Sequence, residues 1–344
     1  MPWYFVDDHV AIAPKPQENE INVILRSFDL IVVLDKDLIN CFKVGESSIK
    51  LVIEDVDEGS APHILRSYEL VRQVVATVRK GGKVLILCTN GMSRSPTLAI
   101  LYLILKGLSF DEAEITLKVK RGLIHLTQLQ RNLGKVFDYV LNLLTPRGVE
   151  AIYVFGRKFE FGGKFKHLSL SMEYSVLLVN AFRKYLGLSK VEEIVAVVSS
   201  ALHDIGYKYG VERHHVKSFE LIRNSIELYS VFGSVTREAI AWAAYHHTLS
   251  NPNPLLNNKI SEWAKESVAK ATAILHLANV LAKYESNRLV NIDVSVDNEL
   301  TLVLTWYKFL EDLKSVESLI RDRCSLLMNL LGVKDVKVIH DSLF

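Results

Sequence analysis

Along the first 110 residues, short runs of β-branched and leucine-rich positions alternate with longer stretches whose apolar residues recur every three or four places. The runs LIVVL (30–34), IKLVI (49–53) and KVLILC (83–88) have the length and composition of buried strands. Between them SAPHILRSYELVRQVVATVRKGG (60–82) carries helical spacing, with Ser60 placed to cap its start and Gly81-Gly82 to stop it. FDEAEITLKVKRG (110–122) and the run from Thr127 to Leu144 predict two more helices. Such alternation predicts an α/β domain, a central and mostly parallel sheet flanked by helices. At TPRGVE (145–150), Pro and Gly interrupt the helical pattern. The expected organisation is a first domain over 1–145, a linker or hairpin over 146–165 and a second domain over 166–344. In the last of these HLSLSMEYSVLLVNAFRKYL, VEEIVAVVSSALHDIG, HVKSFELIRNSI, VTREAIAWAAYHH and WAKESVAKATAILHLANVLAKY each keep one apolar face. They predict an all-α bundle, closed by a small strand pair around IDVSVDNELTLVL (292–304).

Length agrees with two cores, because 344 residues exceed what one domain usually fills. Charge excludes more than it suggests: 41 Lys+Arg against 39 Asp+Glu leave +2, with no global pull toward nucleic acid or an anionic membrane. Three scattered cysteines, Cys41, Cys88 and Cys324, fit neither a disulfide framework nor a cysteine zinc site, so a reducing cytoplasm is expected. MPWYFVDDHV lacks a basic stretch followed by an apolar run, and LAILYLIL (98–105) is too short to span a bilayer, so no membrane partner is expected. Nothing in the chain indicates an oligomeric state.

The richest chemistry lies in KVLILCTNGMSRSPTLAILYLIL, where an apolar strand delivers Cys88 to the short loop Thr89, Asn90, Gly91, Met92, Ser93, Arg94, which opens directly into a helix. A strand, a tight loop and a helix N-terminus gather backbone N–H groups on one point, an arrangement suited to phosphate. Gly91 permits the sharp turn. The same amides, the helix dipole and Arg94 would favour the thiolate of Cys88, and the guanidinium fork can grip two oxygens of a transferring phosphoryl group. Ser95 is placed to hydrogen-bond the sulfur.

This stretch resembles the protein tyrosine phosphatase superfamily, and G-M-S-R-S-P-T is most similar to its dual-specificity branch; the resemblance covers roughly 1–143 and includes the opening WYFVDDHVAIAPKP. It implies a phosphocysteine cycle needing no cofactor, acting on a phosphorylated protein or a small phosphoester. It also implies a general acid on the loop VIEDVDEGSAPH, where Asp55 matches best and Asp57 is the runner-up; both could equally just solvate a loop. Leu87 stands where the family usually has histidine before the cysteine, and RGLIHLTQLQ lacks that loop's usual Pro and Asn. His125 and Gln128 there could position the hydrolytic water or simply start a helix.

A second constellation runs His167, His203-Asp204, His214-His215, His246-His247. Imidazoles and a carboxylate projecting into a bundle core suit one or two divalent metals. ALHDIGYKYGVERHHVKSFELI, with AYHH and ILHLANVLA after it, resembles the HD-domain phosphohydrolases, specifically the C-terminal helical domain of the exopolyphosphatase and guanosine pentaphosphatase family. That likeness implies a metal set of His167, His203, Asp204, His214 and His246, with Asn279 at a position usually held by aspartate. With one carboxylate, the set should prefer Zn, Ni, Co, Fe or Mn over a harder ion. Three readings stay open: an HD phosphohydrolase acting on a nucleotide or polyphosphate, a metal-binding but silent phosphate-sensing module, and a metal-free scaffold. FGRKFEFGGKFKHL (155–168) interleaves Arg157, Lys158, Lys164 and Lys166 with phenylalanines; it reads as a nucleotide- or RNA-stacking loop or as a packed hairpin.

Overall fold

The computed structural model describes residues 3–42, 50–53, 56, 60–248, 253–284, 287–308 and 313–343. Two compact units divide the chain, Met1–Asp138 and Tyr139–Phe344.

In the N-terminal unit the elements run β1 (Tyr4–Phe5), β2 (Val10–Ala13), α1 (Glu18–Ser27), β3 (Leu30–Val33), β4 (Lys50–Ile53), α2 (Ile64–Val78), β5 (Val84–Leu87), α3 (Arg94–Leu105) and α4 (Phe110–Arg121). The strands form one sheet in the order β1-β2-β5-β3-β4, parallel except for β1. Strands β2, β3 and β5 are buried at every position, which is why their sequences read as unbroken apolar runs instead of alternating. Ala11, Ala13, Ile31, Val33, Leu85 and Leu87 pack one sheet face against Ile24 and Phe28 from α1 and the turn after it. Val33 pairs with Leu87, so β3 and β5 end side by side and their following residues become neighbours. Open parallel sheets place ligands at that carboxyl edge. Ser60 does not cap α2, which starts four residues later behind His63; its carbonyl instead accepts a hydrogen bond from Gln130 Nε2.

α5 (Gln128–Lys158) leaves helical values at Thr145, φ 62°. The segment expected as a linker or hairpin is therefore largely helical. Thr145 Oγ1 accepts the Gly148 amide, and Pro146 sits where a missing N–H is harmless, so the TPRG break restarts a helix. A 3₁₀ turn over Glu160–Gly163 follows.

The C-terminal unit continues with α6 (Phe165–Leu186), α7 (Lys190–Leu202), α8 (His214–Arg223), α9 (Ile226–Tyr245) and α10 (Glu262–Leu281). Helix α10 packs on α6, α7 and α9, and α8 packs on α9. After them come β6 (Leu289–Val296), β7 (Leu300–Trp306), α11 (Leu313–Arg323), α12 (Ser325–Leu331) and β8 (Val336–Ser342). The unit is thus not purely helical. β8 joins the expected strand pair in parallel to β7, making three strands; VKVIHDS alternates buried and exposed positions, a half-covered strand at the far end of the chain. No described helix is long and apolar enough to cross a membrane.

Candidate functional site

Cys88 follows β5 directly and is buried, its sulfur 3.2 Å from Ser95 Oγ and 3.4 Å from the Ser95 amide nitrogen. Both contacts come from the first turn of α3, where Pro96 is tolerated because that turn needs no inward N–H. Gly91 is required twice over. Its φ is +63°, and a Cβ there would lie 2.7 Å from the Pro14 nitrogen. The loop is pinned from outside: Thr89's carbonyl accepts the Lys15 amide, Met92's accepts the His125 amide, and Gly91's accepts Arg121 Nε. The backbone N–H groups of Thr89, Asn90, Gly91, Met92 and Ser93 donate to no acceptor among the described residues. Five consecutive unpaired amides beside a helix N-terminus form a ready anion site. Asn90 is exposed at the loop's tip.

Arg94 is held by four acceptors. Nη1 donates to the carbonyls of Val56 (2.8 Å) and Leu34 (3.4 Å), while Nη2 lies 3.0 Å from both Thr89 Oγ1 and Asp35 Oδ2. Asp35 also accepts the Thr89 hydroxyl. Burial opposes its ionisation, but the bonds from Thr89 and the Asp37 amide and the Arg94 charge together hold the carboxyl below its usual range. Sequence reasoning missed Asp35, although its place just after an apolar strand that ends beside β5 was a usable signal. It also missed Gln130, a buried side chain whose Oε1 accepts from Ser93 Oγ at 2.8 Å and from the Thr127 amide. Gln128, singled out instead, turns outward to Asn132; His125 reaches the loop through its backbone. Asp55 and Asp57 lie outside the described residues.

In the C-terminal unit the second constellation converges on Asp204. Its Oδ1 is 3.2 Å from His247 Nε2 and 3.5 Å from His214 Nε2; its Oδ2 is 3.7 Å from His203 Nε2 and 4.0 Å from His167 Nε2. His247 occupies the place expected for His246, which turns away to Asn257 Nδ2. The reason is local: α9 ends at Tyr245, and one residue beyond it points in a different direction from the next. Asn279 does reach the cluster, its Oδ1 3.1 Å from His167 Nε2.

Each imidazole is oriented from behind. Nδ1 of His203, His214 and His247 donates to the carbonyl three residues earlier, Ser200, Val211 and Ala244. A carbonyl only accepts, so these nitrogens carry the ring protons and the Nε2 atoms face inward bare. Burial pushes His203 well below the ordinary histidine range, and His167 and His214 also downward. Burial opposes the charge on Asp204, yet the Lys164 ammonium, 3.4 Å from Oδ2, favours the carboxylate. Two bare nitrogens, His214 and His247, sit 3.1 Å apart, and His203 Nε2 and Asp204 Oδ1 are buried without a hydrogen bond. Such acceptors suit a cation, and two triads that share Asp204, His167-His203-Asp204 and Asp204-His214-His247, bring their ligand atoms close enough to hold one. Gly206 sets their spacing: a Cβ there would lie 2.1 Å from the His214 carbonyl, and its amide donates to Ser218 Oγ at 2.9 Å.

No curated protein matches this chain. Among solved structures, Tk-PTP in its active form is similar at 30% identity, over 40% of this chain and 96% of that one, with TM-score 0.36. PTPMT1 is similar at 18% identity over 41% and 96%, TM-score 0.38, and human DUSP28 at 19% over 41% and 96%, TM-score 0.37. Residues 9–138 match the family described as dual specificity phosphatase, catalytic domain. The loop that carries Cys88 and Arg94 thus belongs to a dual specificity phosphatase catalytic domain occupying the N-terminal unit.

Proposed function

We propose that the N-terminal unit hydrolyses phosphomonoesters through a phosphocysteine intermediate. The observation that carries this reading is the run of amides from Thr89 to Ser93, without acceptors among the described residues, between Cys88 and Arg94 on one strand–loop–helix unit. The Cys88 thiolate attacks phosphorus as the bond to the leaving oxygen breaks, and Asp55 gives that oxygen a proton. Water then attacks the phosphocysteine, Asp55 takes its proton, and orthophosphate leaves with the thiolate restored. The Ser95 hydroxyl, 3.2 Å away, stabilises the sulfur as it departs. Substrates are phosphorylated proteins or small phosphoesters, in a cytoplasmic setting. Cys88→Ser should abolish hydrolysis of an aryl phosphate, while EDTA leaves the wild-type rate intact; activity that survives Cys88→Ser and vanishes with EDTA assigns the chemistry elsewhere.

A second reading concerns the C-terminal unit, taken as an HD-type domain over 166–344. The inward-facing bare nitrogens favour it. His203, Asp204, His214 and His247, with His167 and Asn279 alongside, would hold a divalent transition metal (Zn, Ni, Co, Fe or Mn), whose Lewis acidity would polarise a bound nucleotide or polyphosphate.

A further inference from the structure

Helix α4 carries two apolar faces. Phe110, Ala113 and Leu117 are buried, and the helix packs on α3. The other side should be polar, yet Ile115 is 61% exposed and Val119, one turn on, is 80% exposed. Leu123, a further turn along and just past the helix end, is 61% exposed. Isolated apolar residues on a surface need no explanation, but three in a line at a spacing of four form a stripe. Local structure does not call for them, since β-branched residues are poorer helix formers than the Lys or Glu that would suit exposed positions. Charges of both signs flank the stripe. Asp111 lies one turn before Ile115, is exposed, and meets no cation among the described residues. Lys118, its side chain 45% exposed, sits two turns after Asp111. Its ammonium is 3.0 Å from Glu114 Oε1, an oxygen that Arg131 also holds at 2.7 Å. An ammonium has three N–H groups, so Lys118 can serve a second carboxylate.

We infer that this stripe is the contact between two copies of the chain, paired through antiparallel α4 helices about a two-fold axis. The charges choose both the partner and its direction. A two-fold contact is self-complementary, the same patch serving both sides. Asp111 and Lys118, seven residues apart, lie on the same flank of the stripe. Antiparallel helices set like flanks opposite each other, so Asp111 of each copy faces the partner's Lys118 and the ion pair forms twice. Parallel helices would instead set Asp111 toward the partner's other flank, where Glu112 stands. The midpoint between Asp111 and Lys118 falls at Glu114-Ile115. Ile115 therefore meets its own copy at the axis, and Val119 and Leu123 lie over the partner's first turn. The two helix dipoles also attract in that orientation. A bilayer surface is met through cations along the apolar line, whereas this line has Asp111 and Glu112 beside it. The helix has 12 residues and is about 18 Å long. One face of that length covers less than the roughly 800 Å² per partner of a permanent complex, so the copies associate at micromolar concentration and exchange.

Sedimentation velocity on the full chain, from about 1 µM to about 200 µM, reads the association directly. The wild type should pass from monomer to dimer over that range. Val119→Glu should stay monomeric throughout, and its melting temperature should match wild type because the position is exposed, so that lost association is not lost fold. Asp111→Lys and Lys118→Glu should each weaken the dimer roughly tenfold, because one reversed charge turns two attractive contacts into repulsive ones. The double variant Asp111→Lys/Lys118→Glu should recover wild-type affinity. A wild type that is monomeric at every concentration overturns the proposal, and so does a dimer that Val119→Glu retains. A double variant as weak as the singles, with wild-type melting, overturns it as well. Vesicles of phosphatidylcholine and phosphatidylglycerol test the other occupant: a monomeric chain that co-sediments with them, and ceases to with Val119→Glu, assigns the stripe to a membrane surface instead.

Discussion

Replacing Asp35 by alanine removes the carboxylate on which both Thr89 and Arg94 rest. The side chain is 11% exposed and its partners are a hydroxyl and a guanidinium nitrogen 3.0 Å away. A hydrogen bond to a charged group contributes roughly 1.5–3 kcal/mol, and removing one partner of a fully buried ion pair costs about 3–5 kcal/mol. Arg94 keeps the Val56 and Leu34 carbonyls, so the lower part of the range applies, about 2–4 kcal/mol. At about 1.4 kcal/mol per decade, amide exchange protection in β5 and the first turns of α3 should fall by roughly 30- to 700-fold, read by hydrogen–deuterium exchange at neutral pH. Because the folded-state pKa of Asp35 is depressed, this stabilisation is fully present above the unfolded carboxyl value and is lost as pH falls through the folded one. The gap between wild type and variant should therefore stay constant near neutrality and close only in the acid range, below about pH 4. A loss under threefold at neutral pH, or a gap that closes between pH 6 and 8, would refute the assignment of Asp35 as the anchor of Arg94.

His247→Ala should lower the bound transition metal to trace level while His246→Ala leaves it near wild type; equal loss from both would put the centre elsewhere, and elemental analysis reads the result. Asn279→Asp adds a carboxylate within reach of His167 and should tighten metal binding at least about tenfold by competition with a chelator. For the general acid, Asp55→Asn should lose more rate on alkyl than on nitrophenyl phosphates, because an alkoxide needs the proton more; equal, small losses from Asp55→Asn and Asp57→Asn would leave that role unfilled by either.

How much was legible depended on distance along the chain. Cys88, Arg94 and Ser95 lie within eight residues on one strand–loop–helix unit, so their local pattern carried their arrangement. Asp35 and Gln130 reach the same loop from other elements, through strand register and through α5, and neither determinant is written near the cysteine. The strands β3 and β5 were plain because burial on both faces erases polar positions. The helical restart at Thr145-Pro146 was hidden because the same Thr-Pro pair that ends one helix can cap the next. In the histidine cluster, spacing found the right helices, but the choice between His246 and His247 depended on where α9 unwinds, a one-residue matter that periodicity does not resolve.

Gly206 has a consequence for how the Asp204 centre meets any occupant. Since a side chain at that position would collide with the His214 carbonyl, the turn after His203-Asp204 seats directly on the start of α8, backbone against backbone. The separation between Asp204 and His214 is accordingly fixed by steric contact, not by whatever binds between them. Its groups are ordered during folding, so little conformational entropy remains to be lost on binding. A substitution at Gly206 would spare every liganding atom and still open the gap, converting a rigid receptor into one that must assemble around its guest.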